Sequence, residues 1–186
     1  MSHIVTIKTQ VRDAAGVAAA CRRLALPQPV HGTAELFSGQ ATGLLVQLPG
    51  WLYPAVVETA TGTVRYDNYN GAWGDENHLH RFIQAYVIEQ TRIEARKKSY
   101  MTTEQSLADG PILVDIEVRG GRMKKIIRLI VSPTGEARIE TKGFSGPECR
   151  EASRFLEQAL GQPLAEQLTA VFYQGQTTGQ QIQQSQ

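Results

Sequence analysis

The residues best equipped for chemistry or recognition gather between positions 66 and 80. The stretch Tyr66-Asp67-Asn68-Tyr69-Asn70-Gly71-Ala72-Trp73-Gly74-Asp75 is dense in aromatic, amide and glycine residues, and Glu76, His78 and His80 follow at once. Tyrosine and tryptophan offer wide contact area with little rotamer entropy to lose, and asparagine offers paired donors and acceptors. Tyr66, Asp67, Asn68, Tyr69, Asn70 and Trp73 are therefore the candidate binding residues. The competing reading buries Tyr66 and Trp73 in the core and gives Asn68, Asn70 and Gly71 to a tight turn. The acids and histidines also invite a metal or acid–base reading. That chemistry needs side chains on one face, yet positions 78 and 80 lie about 200° apart on a helix. Acidic residues suit the positive end of a helix with no chemistry required, and no metal site is expected.

Two further groups of residues carry reactive or charged side chains. Cys21 and Cys149 are the only cysteines, neither sits in a C-x-x-C pair, and the histidines show no zinc spacing with them. Cys149 falls in the first turn of a helix expected after Gly146, where free amide groups and the dipole lower a thiol's pKa. It is the candidate redox residue, with ordinary burial as the alternative. Between positions 92 and 128 there are nine basic residues against five acidic ones. Arg92, Arg96, Lys97, Lys98, Arg122, Lys124 and Lys125 could contact phosphates, which would make nucleic acid a ligand. A solvated helix end followed by a polar linker accounts for the same charges. No phosphate loop, nucleophile elbow or dinucleotide fingerprint occurs. No catalytic set converges, so the sequence argues against an enzyme, and no cofactor is expected.

The elements that must hold these residues follow from periodicity. Alternation predicts a strand over 4–11. Asp13 caps a helix with the apolar stripe Val17, Ala20, Cys21 and Leu24, and Gly16 should weaken it by about 1 kcal/mol relative to alanine. Two strands flank Ser38-Gly39-Gln40, and runs at 51–58 and 63–69 form a hairpin. Leu79, Phe82, Ile83, Tyr86 and Val87 give a helix over 76–98 a wide core-facing stripe. A strand at 107–118 precedes the flexible 119–122. Strands at 124–131 and 136–142 then form a hairpin over Pro133-Thr134-Gly135. A helix runs from Pro147 to a Gly161 cap, and 163–173 is expected to add a short helix.

The expected architecture is α+β in two small domains, each an antiparallel sheet with helices packed on one face. The domains are 1–118 and 123–173, joined by a linker at 119–122 and followed by a Gln-rich, disordered tail at 174–186. A net charge of +1 over 186 residues favours neither nucleic acid nor an anionic membrane. No apolar run approaches the roughly 20 residues of a membrane span, and the N-terminus lacks a signal-peptide pattern. A cytoplasmic location is expected.

Met1-Ser2-His3 with Ile7-Lys8-Thr9, the 66–74 loop, and Tyr86…Glu94-Ala95-Arg96-Lys97-Lys98 followed by Asp109-Gly110 together resemble the domain of unknown function 1257. That family includes a hypothetical reading frame of chloroplasts and cyanobacteria, and the resemblance covers residues 1–118. The second part is similar to the domain of unknown function 2997. It matches through Lys124-Lys125-Ile126-Ile127, Pro133-Thr134-Gly135, Glu140-Thr141-Lys142-Gly143-Phe144 and Gly146-Pro147-Glu148-Cys149. Members of these families are often encoded beside AAA-type ATPases and sometimes ferredoxin-like proteins. The resemblance therefore implies accessory work beside a larger protein partner, plausibly an AAA-type ATPase, and assigns no catalytic residue. A non-enzymatic adaptor is the leading expectation, with a redox accessory using Cys149 and nucleic-acid binding as alternatives.

Overall fold

The computed structural model describes residues 4–119 and 123–167. Its elements in order are β1 (Ile4–Thr9), α1 (Ala14–Arg23), β2 (Val30–Leu36), β3 (Gly39–Val46), β4 (Ala55–Glu58), β5 (Thr63–Arg65) and α2 (Glu76–Lys97). Then come β6 (Met101–Ser106), β7 (Ile112–Val118), β8 (Lys125–Val131), β9 (Ala137–Lys142), α3 (Glu148–Leu160) and β10 (Gly161–Gln167). The α+β class with antiparallel sheets agrees with the sequence reading. Among the described residues no helix is long and apolar enough to cross a membrane.

The strands form two sheets, a six-stranded one in the order β10-β1-β9-β8-β7-β6 and a four-stranded one in the order β2-β3-β4-β5. Alternation along β8 explains the larger sheet. Ile127, Leu129 and Val131 are buried on one face, where Ile116 lies opposite Ile127 and Val114 opposite Leu129. Val5 and Ile7 of β1 continue this layer beside Ile139 and Ala137 of β9. The helices cover this face, and one apolar core joins it to Val46, Ala55 and Val57 of the smaller sheet.

The division of the chain among sheets differs from the sequence reading. The expected linker at 119–122 falls between β7 and β8, which pair directly, and β1 from the first segment lies between β9 and β10 from the second. The two segments therefore build one sheet together, because strand periodicity reveals a strand but not its partner. Residues 161–167 are a strand rather than the start of a helix at 163–173, since β1 offers them a full row of backbone partners. β6 was not anticipated: it is an edge strand, mostly exposed and polar, and has no alternation to betray it. The strand expected over 51–58 is confined to Ala55–Glu58, with Pro54 just ahead of it where its missing N–H costs no ladder bond. The run at 63–69 pairs only over Thr63–Arg65. The expected tail at 174–186 lies outside the described residues.

α2 is the centre of the molecule. Asp75 caps it by accepting from the Asn77 N–H, and residues 84–88 are buried without a break. Polar side chains in such a place need partners. The Gln84 amide donates to the Gly110 carbonyl at 3.1 Å and the Ser132 carbonyl at 3.0 Å, tying α2 to the β6–β7 and β8–β9 turns. The fully buried Tyr86 hydroxyl accepts the backbone N–H groups of Arg12 and Asp13 at 3.1 and 3.2 Å. Gly16 now has a packing reason, since a Cβ there would sit 2.8 Å from the Tyr86 ring and 2.5 Å from the Gln90 side chain.

Burial pushes the Tyr86 phenol up, with a smaller contribution from the Asp13 and Glu94 charges, while its two backbone hydrogen bonds pull the other way. An acid whose pKa rises on folding stabilises the fold below its unfolded value and ceases to do so as pH climbs. Urea unfolding should therefore show stability falling above pH 10, the ordinary tyrosine value. Tyr86→Phe should cost about 2 kcal/mol at neutral pH by leaving two backbone donors unpaired, and should remove part of that alkaline loss.

Candidate functional site

The chain leaves β5 at Arg65 and must reach the N-terminus of α2 within ten residues, which it does through a tight left-handed turn. Tyr69, Asn70 and Gly71 have φ of 45°, 52° and 92°. The Gly71 and Trp73 N–H groups both donate to the Asn68 carbonyl, at 3.0 and 2.9 Å. Glycine and asparagine tolerate such φ values readily, but a tyrosine there costs on the order of 1 kcal/mol. Strain of this kind persists only where the surroundings enforce it.

Three anchors enforce it. The Asp67 carboxylate accepts from the Ser38 N–H at 2.8 Å and the Ser38 hydroxyl at 3.0 Å, fastening the loop to the tip of the β2–β3 hairpin. The Trp51 indole donates to the Asp75 carbonyl at 3.0 Å and lies flat against Gly74, where any Cβ would fall 2.5 Å from the ring. The Leu52 N–H donates to the Trp73 carbonyl at 2.9 Å.

The aromatic side chains sort into an inner and an outer set. Trp51 is 5% exposed and packs on Tyr66 at 5.7 Å, and the Tyr66 hydroxyl donates to Glu76 at 3.3 Å. Burial, and then the Glu76 charge, raise the Tyr66 pKa. The outer set is centred on the half-buried Trp73. Tyr69 stacks on it at 4.7 Å with planes 22° apart, and Phe37 and Tyr53 meet it edge-on at 5.2 and 5.7 Å. Phe37 is 73% exposed and Tyr69 64%. Neither reading of the sequence was complete: Tyr69 is presented to solvent, Trp73 supports it, and Asn68 and Asn70 both make the turn and line a cleft.

That cleft, of about 750 Å³, is bounded by Tyr66, Asn68, Asn70, Asp75, Glu76 and His80. His80 approaches Glu76 at 3.9 Å. Among the described residues no three His, Cys, Asp or Glu side chains gather as a metal ion would require. The groups present can stack, accept and donate hydrogen bonds, and exclude water from a partner's side chains. Sequence reasoning missed Phe37, Trp51 and Tyr53. Phe37 carried a usable signal: a phenylalanine beside Ser38-Gly39, where a hairpin turn calls for polar residues, has no local reason to be there.

The other candidate residues are placed elsewhere. Cys149 is 3% exposed in the first turn of α3, and Cys21 is fully buried in α1. Burial pushes the Cys21 thiol up, against a smaller lowering by Arg22. Most of the basic candidates already have partners. Arg92 meets Glu89 at 3.5 Å, Lys97 meets Glu94 at 2.6 Å, Lys124 meets Glu117 at 2.6 Å and Lys125 meets Glu148 at 2.9 Å. The Lys98 ammonium lies 5.0 Å above the Phe155 ring. Arg96 is exposed, and Arg122 lies outside the described residues. Lys97 and Lys98 line one groove and Lys125 another, so they do not form a single strip.

Two outcomes follow. Neither thiol should react with a bulky aromatic disulfide reagent in the native state, and both should react once denaturant is added; prompt native labelling of Cys149 would place it at the surface. Asp67→Ala should release the hairpin tip, costing about 1 kcal/mol and shifting Trp73 fluorescence to the red in emission spectra.

Residues 127–173, from β8 past the end of β10, match a family described only as a protein of unknown function (DUF2997). No curated protein and no solved structure matches the chain.

Proposed function

We propose that this chain is a non-enzymatic binding protein whose recognition surface is the aromatic cluster around Trp73. The observation that carries the proposal is the display of Tyr69, 64% exposed, on a strained turn tied down at both ends, with Phe37, 73% exposed, beside it at the β2–β3 tip. Large apolar rings are costly to leave in water, and rigid ones lose little entropy on binding. Such clusters dominate interface energetics when a partner covers them. Asn68, Asn70 and the Asp75–Glu76 edge of the cleft supply the polar rim that orients a partner.

The partner we infer is a larger protein, plausibly an AAA-type ATPase. That finer step rests on the resemblance of residues 1–118 to the domain of unknown function 1257 and on where its genes lie. The redox alternative is weakened by the burial of Cys149, and the nucleic-acid alternative by the ion pairs that occupy Lys97, Lys124 and Lys125.

Immobilised wild-type chain, exposed to native lysate, should retain a specific protein that a Phe37→Ala/Tyr69→Ala variant retains at least about 30-fold less well. Both rings are mostly exposed, so the variant should stay folded, with its unfolding midpoint lowered only modestly by the two lost contacts with Trp73. Equal retention by the two proteins, or no specific retention by either, would overturn the reading. Retention of a partner that is not an ATPase would remove the finer step.

A further inference from the structure

Among the described residues, the free edges of the two sheets are not alike. β10 carries Pro163 and faces a register irregularity between Thr6 and Ile7 of β1. β5 is three residues long. β6 turns Glu104 toward the helices, where Arg23 binds its carboxylate. Each of these is a recognised way of keeping another strand from pairing along an edge. β2 has none of them. It is seven residues long, pairs with β3 without irregularity, and contains neither proline nor lysine. His31, Thr33 and Glu35 are exposed along it, and Val30 is 66% exposed at its start.

β2 also complements itself. In an antiparallel pairing centred on Thr33, His31 stands opposite the partner's Glu35, Gly32 opposite the partner's Ala34, and Val30 opposite the partner's Leu36. Directly opposed residues share a face of the sheet. One face therefore holds two imidazole–carboxylate pairs flanking the two threonines, and the other holds only small or apolar side chains. The Glu35 carboxylate accepts from the amide of Gln40, its directly opposed neighbour on β3, on the side away from the free edge. Antiparallel strands offer outward N–H and C=O groups at every second residue, so a pairing centred on Thr33 closes hydrogen bonds whichever set faces out. A slip of two residues either way parts His31 from Glu35 and leaves strand ends unmatched.

We propose that β2 is the seam of a symmetric homodimer in which two four-stranded sheets join into one of eight strands. Such an interface uses the same patch on both copies, as a two-fold requires. A seam of one short strand is small, so the dimer should be reversible, with a dissociation constant on the order of 10 µM. The inference stands apart from the aromatic surface, since it concerns the purified chain alone and different side chains.

Sedimentation equilibrium of the full chain, from roughly one to a few hundred micromolar, tests it. The wild type should pass from single to double mass over that range. His31→Glu sets like charges opposite each other at both ends of the seam and should raise the dissociation constant about 10-fold. His31→Glu/Glu35→Lys sets opposite charges face to face and should return most of the affinity. Both positions are exposed, and equal unfolding midpoints would exclude misfolding as the cause. A single-chain mass at every concentration, a dimer indifferent to His31→Glu, or a double variant as weak as the single one would each overturn the proposal.

Discussion

Much of this molecule depends on α2 being enclosed. A helix buried along its middle draws partners for its polar side chains from neighbouring backbone, and its neighbours are then held in turn. Gln84 fixes two hairpin turns of the large sheet, and Tyr86 fixes the connection from β1 to α1. These contacts join segments that lie far apart in sequence. They also set where α2 begins, and so where the loop before it must end.

The recognition loop inherits its rigidity from that arrangement. Trp51 seals the start of α2 by packing on Gly74 and bonding to Asp75, which leaves the chain between β5 and α2 little slack. The left-handed Tyr69 and Asn70 are the result, and Asp67 holds the far side to the β2–β3 tip. Aromatic side chains mounted on a constrained backbone bind with less entropy loss than the same residues on a mobile loop. Strain and exposure thus coincide at one place, which is the physical basis for reading it as functional.

The sequence was most informative where physics is local. The stripe of Leu79, Phe82 and Tyr86, the Asp13 cap, and the strand at β8 all depend on neighbours within a few residues, and each is seen in the structure. It was least informative where the partner is distant. Nothing near Ile4 says that β1 will lie between β9 and β10, and nothing near Gly161 says that a strand rather than a helix follows. The site shows the same split. Asn68, Asn70 and Gly71 announced a turn, but the meeting of Phe37 and Tyr53 with Trp73 depends on how the small sheet folds over the loop. Tyr66 and Trp73 each took a middle course between core and surface, which residue type alone does not distinguish.

The central claim is that residues 66–75 are both held and displayed. Nuclear magnetic resonance with a soluble paramagnetic probe, combined with backbone relaxation, addresses the two halves together. The account predicts strong broadening of the Phe37 and Tyr69 ring protons, little for Trp51, and order parameters across the loop of about 0.85, as in a rigid backbone. Protected Phe37 and Tyr69 rings, or order parameters below about 0.6 in the loop, would contradict it.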